Sequence, residues 1–277
     1  MTKRILSAMV ISAVLATSLT GCSGNKESSS SSSSAEISSS STAEISSSSS
    51  SVQSSSSSKP QSSSETKPET PASEFEYEKN DSGVVITTYI GESTEVNIPS
   101  EIDGAKVVEI GKKAFSGNLS LTSVTIPDGV TKIGDTAFSF CHSLTSVNIP
   151  GSVTETGNMT FGFCKQLENV TISEGVKEIG YQSFTDCTSL KSVTIPDSVT
   201  MIGEEAFYNC ESLSDVNIPD GVTEIGIRAF KGCKSLKSIA LPDNIDIENK
   251  IGYGVFDGCN DIVITHRGET IPADVFA

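Results

Sequence analysis

Tryptophan is absent from this chain and histidine occurs only twice in 277 residues, while 19 basic side chains face 35 acidic ones. Each shortage argues against a class of function. A formal net charge of −16 repels polyanions, and no run interleaves basic with aromatic residues, so nucleic-acid binding is not expected. His142 adjoins Cys141, but neighbours in sequence rarely aim both side chains at one reacting atom. Lys165, Thr188, Glu211 and Lys234 take the equivalent place further on, so His142 reads as an ordinary exposed loop residue, with His266 in the C-terminal tail. No nucleophile elbow, phosphate loop or zinc-protease helix occurs, so neither an enzyme nor a cofactor is expected. Asp243, Asp246 and Glu248 lack the glycine and ligand count of a calcium loop and read as solvated carboxylates, with no metal assigned.

Long apolar runs are equally scarce. The single one, Ile5 to Leu19, follows Lys3 and Arg4 and is 15 residues long, the length of a signal-peptide core and short for a membrane span. It closes on Leu19-Thr20-Gly21-Cys22, which resembles the lipobox of bacterial lipoproteins. The resemblance implies cleavage after Gly21 and diacylglycerol on Cys22, so that residues 1–21 are a lipoprotein signal peptide and lipid on Cys22 holds the protein to a membrane. From residue 22 to 74 serine dominates, with seven in a row at 28–34, and apolar residues are nearly missing. Such a segment cannot bury enough surface to offset the entropy of ordering, and reads as a disordered tether with a relaxed span on the order of 40 Å.

The remainder repeats every 23 residues. Leu121, Leu144, Leu167, Leu190, Leu213 and Leu236 head successive units, followed three residues on by Val124, Val147, Val170, Val193, Val216 and Ile239. Two further on stand Ile126, Ile149, Ile172, Ile195, Ile218 and Leu241, then proline in five units of six. That spacing makes a short strand whose alternate residues point inward, ended by a residue with no amide hydrogen to donate. One unit cannot bury enough apolar surface to stand alone, so the units must stack around a shared core. Thr156, Thr160 and Ser173 replace the usual Ile, Ala or Ser, and Pro, which marks the second full coil as the loosest.

The stretch "LTSVTIPDGVTKIGDTAFSFC" at 121–141 resembles the BspA-type leucine-rich repeat common in bacterial surface proteins. The resemblance implies a β-rich repeat solenoid of right-handed 23-residue coils with short strands and irregular turns. On that basis residues 75–95 supply N-terminal capping strands, 96–260 the solenoid and 261–277 a C-terminal cap. The unit before residue 121 carries a five-residue excess between Ile98 and Ile126, and the last unit is three residues longer near "DNIDIENKIGYG".

Cys141, Cys164, Cys187, Cys210, Cys233 and Cys259 follow each unit's phenylalanine by three residues. The slot is interior, disulfides between neighbours would make equivalent coils inequivalent, and Asn118 fills the same place in the first unit. A linear column also offers no tetrahedral metal cage. These residues are therefore expected to form a buried ladder of small side chains capping the turn before each strand, rather than disulfides.

Outward strand positions such as Ser146 and Asn148 are small and polar, without aromatic anchors. Phe140 and Phe163 share one loop slot on neighbouring coils and should stack, while Tyr181 and Tyr208 hold other variable slots. These four are the candidate partner contacts. The leading expectation is a monomeric, lipid-anchored protein exposed on a bacterial surface that binds an extracellular protein or mediates adhesion, as the resemblance implies. A glycan-capturing module and a structural envelope component stand as alternatives.

Overall fold

The structure, a computed structural model, describes residues 68–277. These form a β-solenoid of stacked coils with almost no helix, each coil contributing a short strand to two separate faces. The first face is a parallel sheet of Glu95–Asn97, Ser123–Thr125, Ser146–Ile149, Asn169–Ile172, Ser192–Thr194 and Asp215–Val216. Its register places each residue opposite its own copy: Val124, Val147, Val170, Val193 and Val216 pair in sequence. Their side chains are buried, while the alternate Thr125, Asn148, Thr171 and Thr194 face solvent.

Inside, like packs on like. Phe115, Phe138, Phe161, Phe184, Phe207, Phe230 and Phe256 form one stack with ring centroids 4.8 Å to 6.0 Å apart. Tyr89 continues the stack 5.2 Å from Phe115 at 19°, with Phe75 edge-on to Phe115 at 69°, and Phe276 closes the other end at 77° to Phe256. Five of these rings are less than 2% exposed, and each contributes about 2–3 kcal/mol by leaving water. Glycine after the second apolar group is required by close approach. A Cβ at Gly157 would stand 2.3 Å from the Asp135 amide nitrogen, and one at Gly226 2.4 Å from that of Glu204.

The N-terminal cap is an antiparallel hairpin, Phe75–Asn80 with Gly83–Tyr89, whose second strand then pairs parallel with Ala105–Ile110. The five extra residues of the first unit fold as a second small hairpin. Glu101–Ile102 pairs antiparallel with Ala105–Lys106 across Asp103 and Gly104, both at positive φ, and Ile102 is buried. At the other end Val263–His266 pairs parallel with Ser238–Leu241, Glu269–Ile271 folds back on it, and the 3-10 turn Ala273–Phe276 brings Phe276 onto the stack.

The second face is broken. Its first sheet runs from the N-terminal hairpin through Lys132–Ile133 to Glu155–Thr156, and a separate one links Glu178–Ile179, Met201–Ile202 and Glu224–Ile225. Elsewhere the glycine amide of each coil donates to the preceding coil, as Gly157 to Ile133 and Gly203 to Ile179, both at 2.7 Å. No pairing joins Glu155–Thr156 to Glu178–Ile179. A Cβ at Gly180 would meet nothing nearer than 3.2 Å, so the coils stand further apart there. A cavity of about 10 Å³ lies at this junction, lined by Ile149, Thr156, Thr160, Phe161, Ile179 and Phe184 among others. The hydroxyl of Thr156 is buried with no partner, whereas Thr160 donates to the Gly157 carbonyl at 2.7 Å. Threonine in an isoleucine column thus leaves a void and an unpaired polar atom, and the sheet parts beside it.

Amides 177–180 are expected to exchange about tenfold faster than amides 200–203 by hydrogen–deuterium exchange. Thr156→Ile should close much of that gap and raise the melting temperature by roughly 2–6 °C. Uniform protection along the coils would refute this.

Candidate functional site

Each coil turns from its second face back to its first through a tight loop that needs left-handed backbone twice. Thr136, Met159, Gln182, Glu205 and Arg228 occupy one such position, with φ between 52° and 54°. The other holds Gly117, Phe140, Phe163, Asp186, Asn209, Gly232 and Gly258, with φ between 55° and 79°. Glycine, asparagine and aspartate are the residues that tolerate this conformation, and bulky side chains are outliers. Phe140 and Phe163, at 62° and 63°, are therefore held there against local preference.

These two rings stack at 4.7 Å with only 4° between their planes, and Phe140 remains 42% exposed. Leu119, 62% exposed, stands one coil earlier, where the Ser143 hydroxyl donates to its carbonyl at 2.7 Å. His142 lies beside the pair with its ring 6.2 Å from Phe140. It is half-buried with Nε2 enclosed and unpaired, which corrects the reading of an ordinary exposed loop residue: packing against Phe140 draws it in. Tyr181 is exposed and Tyr208 half-buried, but neither makes a ring contact with the pair.

Deeper in the same turns lie the six thiols, all free and buried. Each Sγ donates to a phenylalanine carbonyl of the preceding coil, from Cys141 to Phe115 at 3.2 Å through to Cys259 to Phe230 at 3.2 Å. Cys164, Cys187, Cys210 and Cys233 bond in the same way at 3.2 Å or 3.3 Å. The thiols thus tie coil to coil, whereas a cap on their own turn was expected. Asn118, with no such turn before it, does cap its own loop: its Oδ1 accepts the amides of Ser120 and Leu121 at 3.1 Å and 3.0 Å. Burial pushes Cys141 and Cys187 from 9.0 up to about 12, and lifts Cys164 and Cys210 well above that ordinary value.

The chain matches the BspA type leucine-rich repeat region over residues 89–213 and 162–277, in six copies. The chain belongs to this family. A leucine-rich repeat protein of T. pallidum is similar at 32% identity over 72% of this chain and 84% of its own, with a TM-score of 0.48. A leucine-rich repeat protein from Eubacterium ventriosum is 26% identical over 73% of this chain, which covers 53% of that chain, at a TM-score of 0.59. A leucine rich cell surface protein from Faecalibacterium prausnitzii is 24% identical over 73% of this chain and 89% of its own, at a TM-score of 0.40. A comparison with curated proteins gave no match.

Within the BspA-type coils the other singled-out residues have structural partners. Asp243 Oδ1 accepts the Arg267 amide at 3.1 Å, and Asp246 accepts the amides of Glu248 and Asn249 in its own turn. No group of three His, Cys, Asp or Glu side chains suited to a metal ion occurs among the described residues. His266, in the C-terminal segment, ends the closing strand, paired with Leu241 and only 7% exposed, with Nδ1 enclosed and unpaired. Gly21, Cys22 and the tether up to residue 67 lie outside the described residues, while its last residues, expected to be disordered, are ordered: Thr70 is buried and Ala72–Glu74 form a 3-10 turn. Sequence reasoning missed the apolar Leu119 beside the pair. It also missed the strained backbone under Phe140, although glycine, aspartate and asparagine at equivalent positions were the available signal.

The raised thiols make stability depend on alkali. A group whose folded pKa lies above its unfolded value contributes in full below the unfolded value, near 9.0 here, and loses that contribution as pH climbs toward about 12. The urea midpoint should therefore hold steady up to pH ~8.5 and fall steeply by pH ~10.5. Cys187→Ala and Cys210→Ala together should flatten that fall, and an unchanged slope would refute the assignment.

Proposed function

We propose that this protein is displayed on a bacterial surface, anchored by lipid on Cys22, and that its solenoid binds a protein partner in adhesion. The observation that carries the reading is the Phe140–Phe163 stack: apolar, exposed at Phe140 and half-buried at Phe163, and set on backbone positions where the other coils place Gly, Asp or Asn. Strain of this kind costs on the order of 1 kcal/mol per residue and persists where a function needs it. Aromatic side chains are the commonest anchors of protein interfaces, and an exposed cluster of them marks a contact surface. Tyr181, exposed on another column, is a candidate contact at the margin.

The anchor rests on the Leu19-Thr20-Gly21-Cys22 box behind a basic start and an apolar run. No helix among the described residues is long and apolar enough to cross a membrane. The tether joins at the first coil, where the amide of Thr70 donates to the Asn97 carbonyl at 2.8 Å and its Oγ1 accepts the Asn97 amide at 2.9 Å. Thr70 thus covers the edge of the first face at its first strand, Glu95–Asn97.

Cys22→Ala should abolish incorporation of radiolabelled palmitate and move the protein from the membrane fraction to the medium; retention in the membrane would sink the anchor. Cells displaying the full chain should adhere to immobilised extracellular-matrix proteins or to partner bacteria. Phe140→Asn with Phe163→Asn should reduce that adhesion at least about tenfold with a melting temperature within roughly 2 °C of the parent, since relieved strain offsets lost stacking. Unchanged adhesion with a melting temperature several degrees lower would make the pair a structural feature only.

A further inference from the structure

The Phe140–Phe163 stack is closed at one end and open at the other. Beyond Phe163 the same slot holds Asp186, whose carboxylate accepts a hydrogen bond from Asn209 at 3.2 Å. Before Phe140 it holds Gly117, which has no side chain. Gly117 stands on the same rung: its amide donates to Ser139 at 2.8 Å, as Phe140 donates to Gly162 at 2.9 Å and Phe163 to Thr185 at 2.7 Å. A Cβ on Gly117 would meet nothing within 4 Å. The outer face of the Phe140 ring therefore looks into open space that the next ring of the stack would fill.

Resting on the binding reading above, we infer that this opening is a slot for one aromatic side chain of a partner protein, presented on an acidic segment. The incoming ring continues the stack at the 4.7 Å spacing already set by Phe163 and Phe140. Leu119 supplies an apolar wall on the same coil as Gly117, where later coils carry His142, Lys165, Thr188, Glu211 and Lys234. Three departures from the repeat, at residues 119, 140 and 163, thus converge on one spot.

The polar groups nearby favour a side chain over a sugar. Ser143 already donates to Leu119 and Ser120 to Asn118 Oδ1, so these hydroxyls have spent their hydrogens, and a glycan needs several free partners. Two exposed cations flank the spot, while the acids nearest it are already engaged, Asp135 by Lys112 at 3.4 Å and Asp186 by Asn209 at 3.2 Å. Lys113 shares the turn of Gly117, Lys165 follows Phe163 by two residues, both are exposed, and neither forms an ion pair among the described residues. Acidic residues flanking the incoming ring complement them.

The test uses the full chain and a fluorescent Asp-Glu-Trp-Glu-Asp peptide, read by fluorescence polarisation. The peptide should bind, and affinity should drop at least about tenfold when its Trp is replaced by Leu. It should drop equally in Gly117→Phe, which fills the slot from within. Phe140 and Phe163 already hold a comparable backbone angle, so the fold should accept that change. Leu119→Ser removes the wall and serves as the second variant, with melting curves confirming that both are folded. No peptide binding up to ~1 mM, equal binding of the Leu peptide, native affinity in both variants, or oligosaccharides binding in a Gly117-dependent way would each overturn the slot. Adhesion that survives Gly117→Phe but not the double phenylalanine substitution removes the slot and leaves the binding reading standing. Adhesion indifferent to both removes the two together.

Discussion

Everything in this protein follows from one spacing. Backbone hydrogen bonds between coils hold each residue about 5 Å from its counterpart one coil away, so every side chain has its own copy as its nearest neighbour. Only side chains that pack against themselves can fill such columns: flat rings, short branched aliphatics, thiols, or no side chain at all. Phenylalanine answers with a continuous stack, cysteine with a bond to the coil before, and glycine with room for backbone on backbone. Charge cannot repeat in this way without repulsion, which is why Lys132 sits between Glu109 and Glu155 on the second face.

The same constraint explains how much was legible in the sequence. The leucine, valine, isoleucine and phenylalanine columns are visible because each is one residue type at one period, and the matched copies of the BspA-type repeat rest on them. Thr156 was legible as a defect for the same reason, since a single hydroxyl in an isoleucine column is conspicuous. Less legible was anything that leaves the period. The Asp103-Gly104 hairpin hides in the first unit's five extra residues, although an aspartate–glycine pair is a turn signal in its own right. The direction of the thiol bonds was hidden too, because spacing gives the slot and not where a rotor points.

The candidate site sits where periodicity is deliberately broken. A position that the backbone reserves for glycine, aspartate or asparagine carries phenylalanine twice and then stops, and a variable polar position carries leucine once. The core columns cannot vary without disturbing the stack, so individuality is confined to these outer turns. This separates the two jobs of the chain. The interior keeps the coils in step, and the turns are free to acquire a surface of their own.

The split in the second face also has a mechanical meaning. Phe140 and Phe163 belong to coils on the N-terminal side of the gap between Glu155–Thr156 and Glu178–Ile179. Beyond them, at Thr156, the coils stay joined by the first face, where Asn169–Ile172 pairs on both sides, and by the ring stack, so the split softens one face without letting the coils part.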